Sequence, residues 1–162
     1  MRVATVIIGA GQAGLALSRL LAAAGHEHVV LERGRVGERW RSERWDSLTL
    51  LTPNWLNGLP GAPPLRDPHG YLDRAGVIAH LEAYASDAPV MEHTTVRRVA
   101  PAGRGYHVAT DRGDWAAANV VIATGDCGEP HVPGVAAQAP PSLPQLHGAG
   151  YRRPEQLPDG GA

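Results

Sequence analysis

This sequence predicts an α/β fold built around a parallel sheet, on three observations. An apolar run, Val3-Ala4-Thr5-Val6-Ile7-Ile8, leads straight into Gly9-Ala10-Gly11-Gln12-Ala13-Gly14, which fits G-x-G-x-x-G. A helix-like stretch, Leu15 to Ala24, follows. A second apolar run, Val29-Val30-Leu31, then ends at Glu32. Strand, glycine turn, helix and carboxylate-tipped strand are the layout of a βαβ unit that binds a dinucleotide.

Each part of that unit has a physical task. Gly9 permits the tight turn, Gly11 lets the backbone approach a pyrophosphate, and Gly14 lets helix and strand pack closely, with Ala13 between them in the same turn. The helix N-terminus offers unpaired N–H groups and a partial positive charge to phosphates. Glu32 falls roughly 20 residues on, the distance expected of a carboxylate that accepts hydrogen bonds from a ribose diol. Its charge would repel the 2′-phosphate of NADP, although Arg33 beside it weakens that argument. The fingerprint alone does not separate FAD from NAD.

Later elements follow from local patterns. Leu17, Leu20, Leu21 and Ala24 form an apolar stripe on the first helix, and Gly25 is its expected stop. Arg33 to Arg66 is loop-rich, with tryptophans at 40, 45 and 55 and prolines at 53, 60, 63 and 64. A loop that long in a compact domain usually has a function. Asp73 caps an expected helix through about Ala85, with Val77, Ile78, Leu81 and Tyr84 inward. Pro89-Val90-Met91 reads as a short parallel strand. Thr94–Val99, Tyr106–Thr110 and Trp115–Ala117, joined by a Gly103/Gly105 turn and an Asp111-Arg112-Gly113 turn, read as an antiparallel meander. Val120-Val121-Ile122-Ala123 reads as a separate, fully buried central strand ending at Thr124-Gly125. From Ala136 to Ala162 no element has its own core.

Composition narrows the function classes. The chain has 162 residues and a formal net charge of -1, so no basic field points to nucleic acid or an anionic membrane. All 15 basic residues other than histidine are arginine, which reads as coding bias, not as an arginine-specific function. Cys127 is the one cysteine, so neither an internal disulfide nor a Cys-x-x-Cys redox pair exists, in keeping with a reducing cytoplasm. Nothing marks Cys127 as a nucleophile. The N-terminus reads as a buried strand, not a signal peptide, and no apolar run approaches about 18 residues, the length of a membrane span. The eight histidines are scattered without metal-ligand spacing, so no metal is expected. Ser18 and Ser47 lack the surroundings of a nucleophile elbow.

Two further features bear on the cofactor: Val36-Gly37-Glu38-Arg39-Trp40-Arg41, and the Val120 to Gly125 strand end following the meander. At these residues the chain resembles the flavin-containing monooxygenase-like flavoproteins. The segment Asp46-Ser47-Leu48-Thr49-Leu50-Leu51-Thr52-Pro53 and the Leu81 to Ala85 stretch fit the same pattern, and the resemblance covers nearly the whole chain. It implies a Rossmann-like FAD-binding domain with a parallel sheet and an inserted antiparallel β-meander, over residues 1–135. It places Gly9, Gly11, Ala13 and Gly14 on the FAD pyrophosphate and Glu32, with Arg33 adjoining, on the adenosine ribose. Trp40 and Arg41 would lie along the pyrophosphate and ribitol, and the Val96 backbone at the adenine edge. Thr52 would approach the flavin ring. The strand end Ala123-Thr124-Gly125 would let the chain pass close to FAD, while Asp46 either orients its loop through backbone hydrogen bonds or is a plain turn carboxylate.

In that family a second glycine fingerprint, which binds NADPH, follows a linker. Residues 136–162 read as that Pro/Gly-rich linker, with Gln145-Leu146-His147 and Tyr151 to Gly161, and no second fingerprint is present. The expectation is an incomplete chain: the FAD-binding portion of an NADPH-using monooxygenase-like oxidoreductase, inactive alone. A missing second half or homo-association would complete it. No catalytic acid or base can be named, and the small-molecule substrate is not legible. Two alternatives stay open at this stage: an NAD(P)H reductase of the disulfide-reductase type, and a non-catalytic NAD- or FAD-binding module.

Overall fold

A computed structural model describes residues 1–125 and 130–158. Cys127 and the Asp159 to Ala162 end of the linker lie outside the described residues. The elements are β1 (Arg2–Ile8), α1 (Gln12–Ala23), β2 (His28–Leu31), α2 (Glu38–Ser42), α3 (Arg74–Tyr84), β3 (Val90–Met91), β4 (Val96–Ala102), β5 (Gly105–Thr110) and β6 (Trp115–Ile122). Short 3₁₀ turns occur at Asn54–Leu56, Gly134–Gln138 and Pro154–Gln156.

One six-stranded sheet runs in the order β3-β2-β1-β6-β5-β4. β3, β2, β1 and β6 are parallel neighbours, whereas β6-β5-β4 is antiparallel. The α/β prediction with a parallel sheet and a meander therefore holds, with the meander built into the edge of the same sheet.

Two strands read separately from the sequence are one. β6 runs unbroken from Trp115 to Ile122, paired with β1 from Arg2↔Ala116 to Ile8↔Ile122. Its first three residues also pair with β5, ending at Tyr106↔Ala117. Beyond Ala117 that outer edge leaves β5 behind, so Val120 and Val121 are only half-buried and Ile122 is 72% exposed. The expected fully buried central strand is instead β1, where Val6 and Ile7 are both 0% exposed. Side chains alternate across a strand, so Val6, with Val29 and Leu31, enters a cluster containing Val108 and Trp115. Ile7 and Val30 enter the opposite one, beneath α1 and α3. Full burial of one such side chain stabilises by about 1.5–3 kcal/mol.

The first helix packs on a different stripe from the one expected. Gly14, Leu15 and Ser18 are its buried residues, Leu17 and Leu21 pack partly, and Leu20 is 54% exposed. Gly14 must face the glycine turn, and this fixes the phase of the helix. The helix stops as predicted: Gly25 is left-handed (φ 70°), with Gly25 N donating to Ala22 O and His26 N to Leu21 O. That is the Schellman arrangement, which satisfies carbonyls left over at the helix end. Asp73 caps α3 by accepting from Gly76 N at 2.7 Å, and Val77, Leu81 and Tyr84 are buried.

The long loop is pinned, not slack. Leu50 N donates to Leu72 O, and the buried Asn54 amide donates to Arg66 O and Asp67 O. Tyr84 donates its hydroxyl hydrogen to Pro60 O at 2.6 Å, and Leu59 enters the core. Asp46 is tied on both sides: its carboxylate pairs with Arg74 on α3 at 3.0 Å, and its N–H donates to Arg152 O at 2.8 Å.

Candidate dinucleotide-binding site

The glycine turn lies where β1, β6 and the start of α1 meet. Gly9 is left-handed (φ 109°), and a Cβ there would lie 2.5 Å from the Ala123 carbonyl oxygen. At Gly14 a Cβ would lie 1.9 Å from the Gly9 carbonyl oxygen. Both positions admit only glycine because of protein atoms alone. Gly11 differs: its φ is an ordinary -86° and a Cβ would meet nothing within 4 Å. Among the described residues nothing demands glycine there, and the open space adjoins the helix N-terminus. Gly11 is the N-cap of α1, no side chain caps it, and the first turn, which includes Ala13, carries no acidic residue. Such an end presents N–H donors and a partial positive charge outward, which suits a phosphate.

Glu32 sits at the end of β2 beside this turn. Its Oε2 accepts from Ala10 N at 2.8 Å and its Oε1 from Gly34 N at 2.9 Å. Its backbone is tied too: Glu32 N donates to Met91 O at 3.0 Å and Thr94 N to Glu32 O at 2.8 Å. Each carboxylate oxygen keeps a further lone pair, so the oriented group can still accept from two hydroxyls. Thr94 leads into β4, where Val96 pairs with Thr110 just before a register shift between Val96 and Arg98. Thr95 N donates to the Asp111 carboxylate at 2.8 Å, which holds that carboxyl below its usual range.

α2 approaches from the other side. Gly37 is left-handed (φ 68°), and its N–H donates to Ala10 O at 3.3 Å. Trp40 is half-buried against the core, and the Arg44 guanidinium lies 5.4 Å from its ring centroid. Arg41 pairs with Glu82 on α3, while its buried Nε has no partner. Arg33 is exposed and pairs with Glu43 at 3.3 Å. Thr52 is exposed and donates to the Asn57 amide oxygen at 2.7 Å, next to exposed Leu51, Trp55 and Leu56.

The strand end Ala123-Thr124-Gly125 faces the turn. Ala123 N donates to Ile8 O at 2.8 Å, and Gly125 is left-handed (φ 74°). A Cβ on Gly125 would lie 3.0 Å from Arg39 Nη1, so room for this arginine is one reason for glycine there. Arg39 is a residue the sequence reading passed over. So is the buried pair in which Ser18 Oγ donates to His28 Nε2 at 2.8 Å while His28 Nδ1 donates to His26 O at 2.9 Å. No spacing signals that pair, because one partner is on a helix and the other on the next strand. It lies in the interior and ties α1 to β2. Among the described residues no group of three or more His, Cys, Asp or Glu could hold a metal, and no helix is long and apolar enough to cross a membrane.

Known proteins share this arrangement. Residues 6–151 match the model of a family described as pyridine nucleotide-disulphide oxidoreductase. A CzcO-like oxidoreductase of Geobacillus kaustophilus is 34% identical over 158 residues, covering 96% of this chain and 45% of that protein. The indole-3-pyruvate monooxygenase YUCCA1 of Oryza sativa subsp. japonica is 34% identical over 158 residues, covering 94% and 39%. A mutant flavin monooxygenase from Stenotrophomonas maltophilia has a TM-score of 0.84 at 33% identity, covering 96% of this chain and 47% of that one. A bacillithiol disulfide reductase from Staphylococcus aureus has a TM-score of 0.74 at 18% identity, a likeness of fold alone. The chain spans about half the length of the curated relatives it matches first, 45% for two of them. Since the family match extends from β1 into the linker, this chain belongs to the pyridine nucleotide-disulphide oxidoreductase family, and its fold is that of the FAD-binding, Rossmann-like domain of flavin monooxygenases.

Proposed function

We propose that this chain binds FAD and supplies the flavin-binding portion of a cytoplasmic, NADPH-using monooxygenase-like oxidoreductase that acts on a small molecule. The observation that carries the reading is the Gly11–Glu32 pairing: an open, uncapped helix N-terminus beside a carboxylate already oriented by Ala10 and Gly34. The α1 N-terminus takes the pyrophosphate, and Glu32 takes the adenosine ribose diol. The Val96 backbone reads the adenine edge. Trp40 and Arg41 flank the pyrophosphate and ribitol, Thr52 lies toward the flavin ring, and the Ala123-Thr124-Gly125 backbone closes in from β6. Bound FAD supplies the redox chemistry, with hydride from NADPH; the chain's own residues bind, orient and exclude water. No nucleic-acid or membrane partner is part of this reading, and association with a second polypeptide or a second copy would cover the open edge of β6.

The purified protein tests it by its absorption spectrum after incubation with FAD and gel filtration. Retained flavin gives a band near ~450 nm, a property of the cofactor. A colourless protein that binds NAD instead would overturn the reading in favour of a different dinucleotide.

A further inference from the structure

We propose that Arg152 is a positioning residue of the cofactor site: from the segment 149–156 it holds the turn after α2, and through that turn Trp40 and Arg41. This rests on the FAD reading above and brings in a part of the chain that reading does not use.

The segment is closed on itself around this arginine. Gln156 Oε1 accepts from Arg152 N and Arg153 N, and Gln156 Nε2 donates to Gly150 O at 3.2 Å. Arg152 Nη1 donates to Ala149 O and Tyr151 O, both at 2.9 Å. Its Nη2 donates across to Ser42 O, 110 positions earlier. Ser42 is the last residue of α2, and its carbonyl is among those a helix end leaves without an intrahelical partner. A cationic side chain suits such a carbonyl. A second bond runs the other way: Asp46 N donates to Arg152 O at 2.8 Å. The side chain and backbone of one residue thus grip both ends of the turn 42–46.

α3 holds the same turn from its other side. Arg74 pairs with the Asp46 carboxylate at 3.0 Å and donates to Arg44 O at 3.4 Å. Arg44 in turn lies over the Trp40 ring, and Arg41 immediately precedes Ser42. Movement of the turn therefore carries the two α2 side chains that the FAD reading sets along the pyrophosphate and ribitol. Arg152 is half-buried, and among the described residues it pairs with no carboxylate. Its hold on the turn is a matter of donor geometry, which lysine reproduces only in part. A stretch that reads from the sequence as a linker is thereby part of the support of the cofactor site.

The test uses the full 162-residue chain as wild type, Arg152→Ala and Arg152→Lys. Hydrogen exchange at the Asp46 amide, titrations with FAD and with ADP, and a thermal melt are measured for each. Asp46 is exposed, so protection of its amide reports the bond to Arg152 O directly. The amide should be protected in wild type, exchange freely in Arg152→Ala and be partly protected again in Arg152→Lys. Arg152→Ala should weaken FAD about fivefold or more, the size of an ordinary coupling between sites. ADP should lose less, because it lacks the ribitol that Trp40 and Arg41 flank. Linkage is reciprocal, so FAD should further slow Asp46 exchange in wild type. An unprotected Asp46 amide in wild type would overturn the proposal. So would equal FAD affinity in wild type and Arg152→Ala when protection is lost, which marks a tether without a positioning role. Equal losses of FAD and ADP that follow a lowered melting temperature would overturn it too, as general destabilisation. Failure of the wild type to bind FAD would remove the FAD reading and this role with it, while Asp46 exchange would still show whether the segment docks.

Discussion

Gly14 rests on Gly9: a methyl group added at Gly14 would fall 1.9 Å from the Gly9 carbonyl oxygen, a distance no atom pair tolerates. The helix that follows the glycine turn therefore lies as close to it as backbone allows. That contact, more than any apolar stripe, sets how α1 is rotated on the sheet.

The three fingerprint glycines should separate in experiment. Gly14→Ala forces backbone apart and should destabilise the fold by about 1–3 kcal/mol, as overpacking does. Gly11→Ala meets none of the described residues, and its stability should change by less than about 1 kcal/mol, because lost unfolded-state entropy and a poorer cap roughly offset. Its FAD affinity should nonetheless fall, since the new methyl group enters the phosphate approach. Urea melts and flavin titrations of both variants check this pair of outcomes.

Ser18 and His28 form a buried bond away from the cofactor, with Ser18 1% exposed. Ser18→Ala leaves His28 Nε2 without a donor in the interior, at a cost of about 1–3 kcal/mol. Flavin affinity of the folded variant should be unchanged. A chemical denaturation midpoint, read beside an FAD titration, decides whether the pair is structural.

His80 should make stability depend on pH. Burial pulls its pKa below the ordinary 6.5, and its buried Nε2 has no partner. The unfolded chain therefore binds a proton before the folded one does. Stability is fully present above the unfolded value of 6.5 and is lost as pH falls from there toward the folded value. His80→Leu should flatten this part of the profile. Urea midpoints of both proteins at about pH 7.5 and about pH 5.5 give the comparison; an equal drop in both would show that His80 does not contribute.

The 162-residue chain should bind FAD yet not oxidise NADPH. Hydride transfer needs nicotinamide and flavin held at near-attack distance, and the one glycine fingerprint in this sequence is assigned to FAD. NADPH consumption with added FAD should stay at the level of free flavin. Turnover on the order of 1 per second or faster would contradict this.

The sequence made the first unit legible because its signals are local. Residues 2–32 contain strand, turn, helix and carboxylate in order, and Asp73 marks α3 by an equally local cap. The rest depends on partners distant in sequence. The joining of two read strands into β6 follows from continuous pairing with β1, about a hundred residues earlier, across an Ala-Ala-Ala-Asn stretch with no strand signal of its own. Leu20 and Leu15 exchange roles because Gly14, not leucine spacing, fixes the helix phase. Arg39 reaches Thr124 across 85 positions, and no motif reports such a contact.

Glu32 tests the central claim most directly. FAD titration of wild type and Glu32→Ala, followed by flavin fluorescence, compares a ribose diol with and without its charged acceptor. The account predicts saturable FAD binding by wild type and a loss of about 1.5–3 kcal/mol in the variant, the range for a hydrogen bond to a charged group. Equal affinity in the two proteins, with the variant folded, would contradict it.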